Sequence, residues 1–388
     1  MARKLLVSGM LAFFGFFAVF SSVFAEEGYY GEVPFYIESG SVLVMDADTG
    51  RVLFELGGYA QRYPASITKV MTALLVAENV HDLNEVVVFS NSAVNLPFYA
   101  ATFHMQPGER LTVLGALYGL MLVSGNDLAR GLAEHVSGSV DAFVGLMNTR
   151  ARELGAMSTQ FVNACGLPGA GQSISALDIA LIMREAIRHP VLLEIMSSPY
   201  MEFHPTNFFP QGRTIRNTHR MIRVEEPEYD SRVVGGKTGF TNAARHTLVS
   251  YAEYDGFRLI VSVLYSPNRT TFIETSHLLD IGFAILHEER LAAELRELER
   301  QEAIRREIER LEQERLAAIE RALIGEPLEI INSDVLPFDK YKSRAIIYIS
   351  DIEAAVVASS SLAVALVSLG FIKFIYGRKK RHIKEEFQ

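Results

Sequence analysis

Hydrophobic and polar positions recur along this chain with two periods, and the switches between them mark its elements. Ser41 to Asp46 and Arg51 to Leu56 alternate as strands around the turn Asp46-Ala47-Asp48-Thr49-Gly50. His246 to Ala252 and Phe257 to Tyr265 do the same around Asp255-Gly256, a strong hairpin signal. Between these pairs the spacing is helical from Ser66 to about Asn79, from Leu111 to about Val136, from Val140 to Leu154, and from Ala176 to His189, where Pro190 stops it. Ser124-Gly125-Asn126 interrupts the second of these runs. Glu85 to Ser90 and Val233 to Thr238 suit short strands, Pro205 to Arg223 has no clear period, and Thr270 to Leu286 reads as an amphipathic helix. The order predicts an α/β fold of the α+β type: one antiparallel sheet built from both ends, flanked by helices, with the helical block as a second lobe.

Two apolar runs fall outside this pattern. Leu5 to about Phe24 follows a basic start and precedes Val23 and Ala25 at signal-peptidase spacing, so residues 1–25 are expected to be an export signal. Ala354 to Ile372 carries no charge and leads into Arg378-Lys379-Lys380-Arg381, which predicts a transmembrane helix over 352–376 and a basic cytoplasmic tail over 377–388. The expected location is therefore a cell membrane, with a single C-terminal anchor and residues 26–286 on the extracytoplasmic side. From His287 to Leu323 the chain turns to Glu, Arg, Leu and Ala, with Glu302 and Arg306, or Glu307 and Arg310, at helical neighbour spacing. This segment reads as a charged helical stalk, roughly 55 Å long at about 1.5 Å per residue. Leu291, Leu295 and Leu298 begin a heptad that Glu302 and Arg305 break, so a short coiled coil and self-association stay open. Residues 324–351, with Pro327 and Pro337, read as a linker.

Composition narrows the chemistry. Across 388 residues the formal charge is -9, which argues against nucleic acid as a partner. Cys165 is the single cysteine, so no internal disulfide forms; it is expected to sit as a small buried hydrophobe. The 10 histidines are scattered without a ligand pattern, and neither a metal nor a cofactor is implied. Between Glu26 and Leu286 the only lysines are Lys69 and Lys237, while arginine supplies the other strong cations.

Both lysines lie in short motifs. Ser66-Ile67-Thr68-Lys69 puts a hydroxyl and an amine one helical turn apart, and a serine becomes a nucleophile when a base with lowered pKa takes its proton. A helix start also offers amide donors to developing negative charge. Ser124-Gly125-Asn126 places polar groups inside an apolar run, as a turn facing a cleft does. Lys237-Thr238-Gly239 on a strand sends Lys237 and Gly239 to one face, and Gly239 admits a close backbone approach. Each motif alone is common.

In this order the three resemble the signature of penicillin-recognising serine enzymes. The longer segments Arg62 to Leu75, Leu122 to Asp127 with Ala133-Glu134-His135, Phe161-Val162-Asn163 with Gly166-Leu167-Pro168, and Gly235 to Thr241 resemble the low-molecular-mass D-alanyl-D-alanine carboxypeptidases. The resemblance covers roughly Ser39 to Leu286 and implies a β-lactamase/transpeptidase-like fold. It implies Ser66 as acylated nucleophile, Lys69 as base and Ser124 as proton relay. Asn126 would hold the substrate amide, and Lys237 and Thr238, with a weaker match at Arg216, the terminal carboxylate. Gly239 would line the substrate strand, and the amides of Ser66 and Phe240 would form the oxyanion hole. Implied partners are peptidoglycan stem peptides, with β-lactam antibiotics as covalent inhibitors. A DD-endopeptidase and a non-catalytic wall-binding or signalling protein remain open. A β-lactamase is disfavoured, because no Glu-x-x-Leu-Asn segment lies between the second and third motifs. Arg245-His246 depart from a glycine-containing pair common after the third motif. Where the family carries a small β-rich second domain, this chain has the charged helix and the apolar run.

Overall fold

A computed structural model describes residues 35–267 and 270–324. The expected signal at 1–25, membrane helix at 352–376, basic tail at 377–388 and nearly all of the linker lie outside the described residues. Among the described residues no helix is long and apolar enough to cross a membrane.

The strands are β1 (Ser41–Asp46), β2 (Val52–Leu56), β3 (Val86–Val88), β4 (Arg110–Thr112), β5 (Tyr200–Phe203), β6 (Arg213–Arg216), β7 (Val233–Thr241), β8 (Arg245–Tyr254) and β9 (Phe257–Ser266). Five of them form one antiparallel sheet in the order β2-β1-β9-β8-β7, so the two ends of the domain do meet in a single sheet. Its central strands are apolar on both faces because both faces are covered. Leu43 and Met45 of β1 join the larger core, and Val42 and Val44 the smaller one. In β9, Ile260 and Leu264 face the first core, and Leu259, Val261 and Val263 the second.

Besides a single turn at Asn91–Val94, the helices are α1 (Lys69–Asn79), α2 (Val113–Leu122), α3 (Asn126–Ser137), α4 (Val140–Glu153), α5 (Ala176–Ala186), α6 (Pro190–Ser197) and α7 (Thr271–Leu323). α1 is buried from Lys69 to Val76 without a polar face, as befits a helix enclosed by others. The start of α7 covers the opposite face of the sheet with Leu278, Leu279, Ile281, Phe283 and Leu286.

Several boundaries differ from the sequence reading. Ser66 to Thr68 lies in a 3-10 turn, Ala65–Thr68, and the α-helix starts at Lys69. Leu111 and Thr112, expected to be helical, lie in β4 and pair with β3 instead. The helix expected to reach His189 ends at Ala186, and Pro190 instead opens α6 at its first position, where a missing N–H costs nothing. The aperiodic stretch at 205–223 holds β6, paired with β5, and a 3-10 turn at Arg220–Ile222. The amphipathic segment ending at Leu286 and the charged segment after it are one helix, α7, which runs on to Leu323. The chain's contacts divide after Glu302, and the sheet, the helical lobe and the cleft belong to the unit that ends there.

One loop fixes the nucleophile turn to the helical lobe. Gly166 has φ +85°, and a Cβ there would fall 1.8 Å from the Ala65 carbonyl oxygen. Gly166→Ala should therefore lose about 2–4 kcal/mol, combining a left-handed backbone with a backbone clash. Urea unfolding of both proteins measures this, and a change below about 0.5 kcal/mol would show that the contact does not hold the loop.

Candidate active site

The last residue before the nucleophile, Ala65, has φ +51°, and Ser124 has φ +65°. Both are strained for residues with a Cβ, and both flank the same cleft. The cleft, ≈ 1060 Å³, is lined among others by Ser66, Ser124, Asn126, Thr238, Gly239 and Phe240. The three motifs, far apart in the chain, thus converge, and each does so for a local reason.

Lys69 is the first residue of α1 and wholly buried. Its ammonium reaches Ser66 Oγ at 3.0 Å, Asn126 Oδ1 at 2.7 Å and the Cys165 carbonyl at 2.7 Å. Burial disfavours the charged form and brings its pKa down to about 8, opposed by nearby Cys165 and Asp127. A lysine that gives up its proton this readily, in contact with a serine hydroxyl, has the chemistry to serve as a general base.

Asn126 and Ser124 sit at the break between α2 and α3. Asn126 donates its backbone N–H to the Ala101 carbonyl at 2.9 Å. Asp127 beside it accepts from Phe103 N at 2.8 and 3.0 Å and from Met105 N at 3.0 Å, tying down the loop before β4. Ser124 is buried, and its Oγ has no hydrogen-bond partner among the described residues.

β7 forms the other wall. Thr247 of β8 donates to the Pro64 carbonyl at 3.1 Å and so ties the sheet to the nucleophile turn. A Cβ on Gly239 would lie 2.7 Å from Ser66 N, so only glycine lets β7 pass the turn this closely. That approach puts the Ser66 amide against the strand carrying Phe240, the pair expected to form the oxyanion hole. Thr238 Oγ1 lies 2.7 Å from Thr218 Oγ1, whose backbone N–H reaches the Leu122 carbonyl at 3.0 Å. Lys237 is buried and donates to the Thr238 carbonyl at 3.0 Å. Burial, and then the charge of Lys69, push its pKa well below the ordinary lysine value.

Arg216 is placed less simply. It lines the cleft, yet its exposed guanidinium is engaged by Glu225 at 2.8 Å and Glu226 at 2.6 Å. The sequence reading had no signal for this pairing, nor for three supports of the site. Cys165 is buried as expected, but it acts through its backbone oxygen on Lys69. Asn163 shapes that loop, its Oδ1 accepting from Cys165 N at 3.2 Å and Gly166 N at 2.7 Å. Thr218 touches Thr238. Asn163 lay in a segment already singled out, and Thr218 lies in the short match around Arg216.

Among the described residues the one cluster with ligand spacing is Glu78, Glu185 and His189, and Arg150 already bonds Glu78 at 2.7 Å and Glu185 at 3.3 Å there.

Comparison with known proteins agrees with this arrangement. The family model described as D-alanyl-D-alanine carboxypeptidase matches residues 30–268. A D-alanyl-D-alanine carboxypeptidase of Mycobacterium tuberculosis is 35% identical over 252 residues, 63% of this chain and 81% of that protein. One of Bacillus subtilis is 31% identical over 252 residues, 64% of this chain; the match spans only 62% of that relative. The crystal structure of a D-alanyl-D-alanine carboxypeptidase from Mycobacterium tuberculosis superposes with TM-score 0.60 at 33% identity, covering 67% of this chain and 96% of that one. The Streptomyces K15 DD-transpeptidase gives 0.59 at 26% identity, covering 64% and 98%. With the serine, the buried lysine and the glycine-bearing strand meeting in one cleft, and with a family model matching more than half its length, this chain belongs to the D-alanyl-D-alanine carboxypeptidase family.

Proposed function

We propose that the protein is a serine-type D-Ala-D-Ala carboxypeptidase that removes the terminal D-alanine from peptidoglycan stem peptides through an acyl-enzyme. The observation that carries this is the 3.0 Å contact between Ser66 Oγ and a lysine whose pKa burial has lowered to about 8. Neutral Lys69 takes the Ser66 proton as Oγ bonds to the carbonyl carbon of the penultimate D-alanine. The amides of Ser66 and Phe240 hold the resulting oxyanion, and Asn126 holds the substrate amide. Lys237 and Thr238 bind the terminal carboxylate. The C–N bond then breaks while Ser124 delivers a proton to the departing nitrogen, and water completes hydrolysis of the ester. β-Lactams, which offer a similar carbonyl, acylate Ser66 in the same way.

The proposal extends to location. The export signal, the charged helix and the C-terminal apolar run support a membrane-anchored enzyme with its cleft outside and its basic tail inside. Protease added to intact cells should remove the catalytic unit yet spare a tag placed after Gln388. Digestion of that tag from outside would overturn the topology.

Ser66→Ala should lose both covalent labelling by a fluorescent penicillin and D-alanine release. Retained labelling would move the nucleophile elsewhere.

Because the base works only when neutral, kcat/KM for D-alanine release should rise about tenfold per pH unit up to about 8 and level off above it. Lys69→Arg should abolish that rise and lose about 10²–10⁴ of the rate, since a guanidinium holds its proton throughout. A profile flat from about pH 6 to 9 in the wild type would remove Lys69 from the base role.

A further inference from the structure

Two walls of the cleft are joined through one exposed residue, Thr218, which lines it. Its backbone N–H reaches the Leu122 carbonyl, at the end of α2, at 3.0 Å, and its Oγ1 lies 2.7 Å from Thr238 Oγ1 on β7. Both neighbours of Thr218 in the chain are buried and hold it there. Asn217 donates its backbone N–H to the Pro199 carbonyl at 2.8 Å and its side-chain amide to the Ser198 carbonyl at 3.0 Å. Its Oδ1 accepts from His219 N at 2.9 Å. His219 places Nε2 2.8 Å from Ser250 Oγ on β8. Its ring also lies against β7: a Cβ on Gly236, the residue before Lys237, would fall 3.0 Å from Nε2. Two buried side chains thus fix the backbone that carries one exposed hydroxyl. Among the described residues the hydrogen-bond partner of that hydroxyl is Thr238.

Either oxygen of the pair can donate to the other. If Thr238 gave its proton to Thr218, it would turn lone pairs toward an arriving carboxylate, and oxygen would meet oxygen. If Thr218 donates, the Thr238 proton is left to point into the cleft. A hydroxyl that accepts one hydrogen bond is also polarised to give a stronger one. A carboxylate beside Thr238 therefore selects the second arrangement, and a side chain at 218 without a hydroxyl cannot supply it.

We propose that Thr218 is a positioning residue for carboxylate recognition: its hydroxyl donates to Thr238 and so aims the Thr238 proton at the substrate's terminal carboxylate. It sharpens the choice of peptides with a free terminal carboxylate over those whose end is amidated or esterified. The inference rests on the proposed placement of that carboxylate at Lys237 and Thr238.

The test compares full-length wild type, Thr218→Val and Thr218→Ser on two matched acyl-peptides, one ending D-Ala-D-Ala and one ending D-Ala-D-alaninamide. Valine keeps the shape and removes the hydroxyl, and at an exposed position neither change disturbs the packed core. In Thr218→Val the loss in kcat/KM should be about three- to tenfold greater for the acid than for the amide, the size of one neutral hydrogen bond. Thr218→Ser should restore most of it. Equal losses on both peptides, no loss on either, or a serine variant as impaired as the valine one would overturn the proposal. Acylation rates with benzylpenicillin, which carries a carboxylate, and with its methyl ester separate this from failure of the carboxypeptidase reading. Wild type should prefer the acid, and Thr218→Val should narrow that preference. If neither peptide is cleaved but this pattern holds, the activity assignment falls and the role of Thr218 stands. If wild type reacts with acid and ester alike, the role of Thr218 falls.

Discussion

The structure turns on keeping an amine out of water. Lys69 is fully buried, with an amide oxygen and a backbone carbonyl as its closest partners besides the Ser66 hydroxyl. Neutral oxygens satisfy its hydrogens without fully offsetting its charge, which is what leaves the amine ready to lose a proton. A carboxylate in direct contact would have stabilised the ammonium and removed the base. Asp127, next in sequence to Asn126, instead spends its oxygens on backbone amides of the preceding loop. The site thus keeps negative charge near enough to hold the fold and far enough to spare the lysine.

That choice has a stability cost with a definite sign. A lysine whose folded pKa is about 8, against 10.5 in the open chain, binds fewer protons folded than unfolded in that interval. The folded state therefore gains stability as pH rises from about 8 toward 10.5, and below about 8 it carries the full penalty, on the order of 3 kcal/mol. Lys237, also buried and pushed down by burial and by Lys69, adds to the penalty in the same direction. The strained backbone at Ala65 and Ser124 is a further cost at the same place. The double-faced core around β1 and β9 offsets these terms.

What could be read from the chain and what could not divide along physical lines. β1 with β2, and β8 with β9, were legible because a short turn sets each pairing. The three motifs were legible because their residue types are chemically demanding and lysine is otherwise avoided. β5 and β6 were not, since a cation's docking holds that hairpin: the Arg213 guanidinium lies 4.1 Å from the Phe103 ring centre and 4.2 Å from that of Phe209. Pro190 misled because a missing N–H, read as the stop of one helix, is harmless at the start of the next. Cys165 was judged by its side chain, although its carbonyl is what touches Lys69. Backbone groups act wherever the loop places them, and a one-letter code does not record that.

The cleft's charge pattern also governs the fate of the acyl-enzyme. The carboxylates in its lining, Glu226 and Glu228, are occupied by Arg216, Arg220 and Arg223. On the proposed reading, the groups that activated Ser66 must also activate the hydrolytic water. With a peptide substrate this is workable, because D-alanine departs and opens the space beside Ser124 and Thr238 to solvent. In a β-lactam the cleaved amide nitrogen stays tethered to the acyl group through the rest of the opened ring. The space that water needs remains filled, and among the residues lining the cleft no second carboxylate base stands on another side to admit it. On the proposed reading the same arrangement would hydrolyse one ester and retain the other, and trapping by penicillin would follow from how few bases the cleft contains.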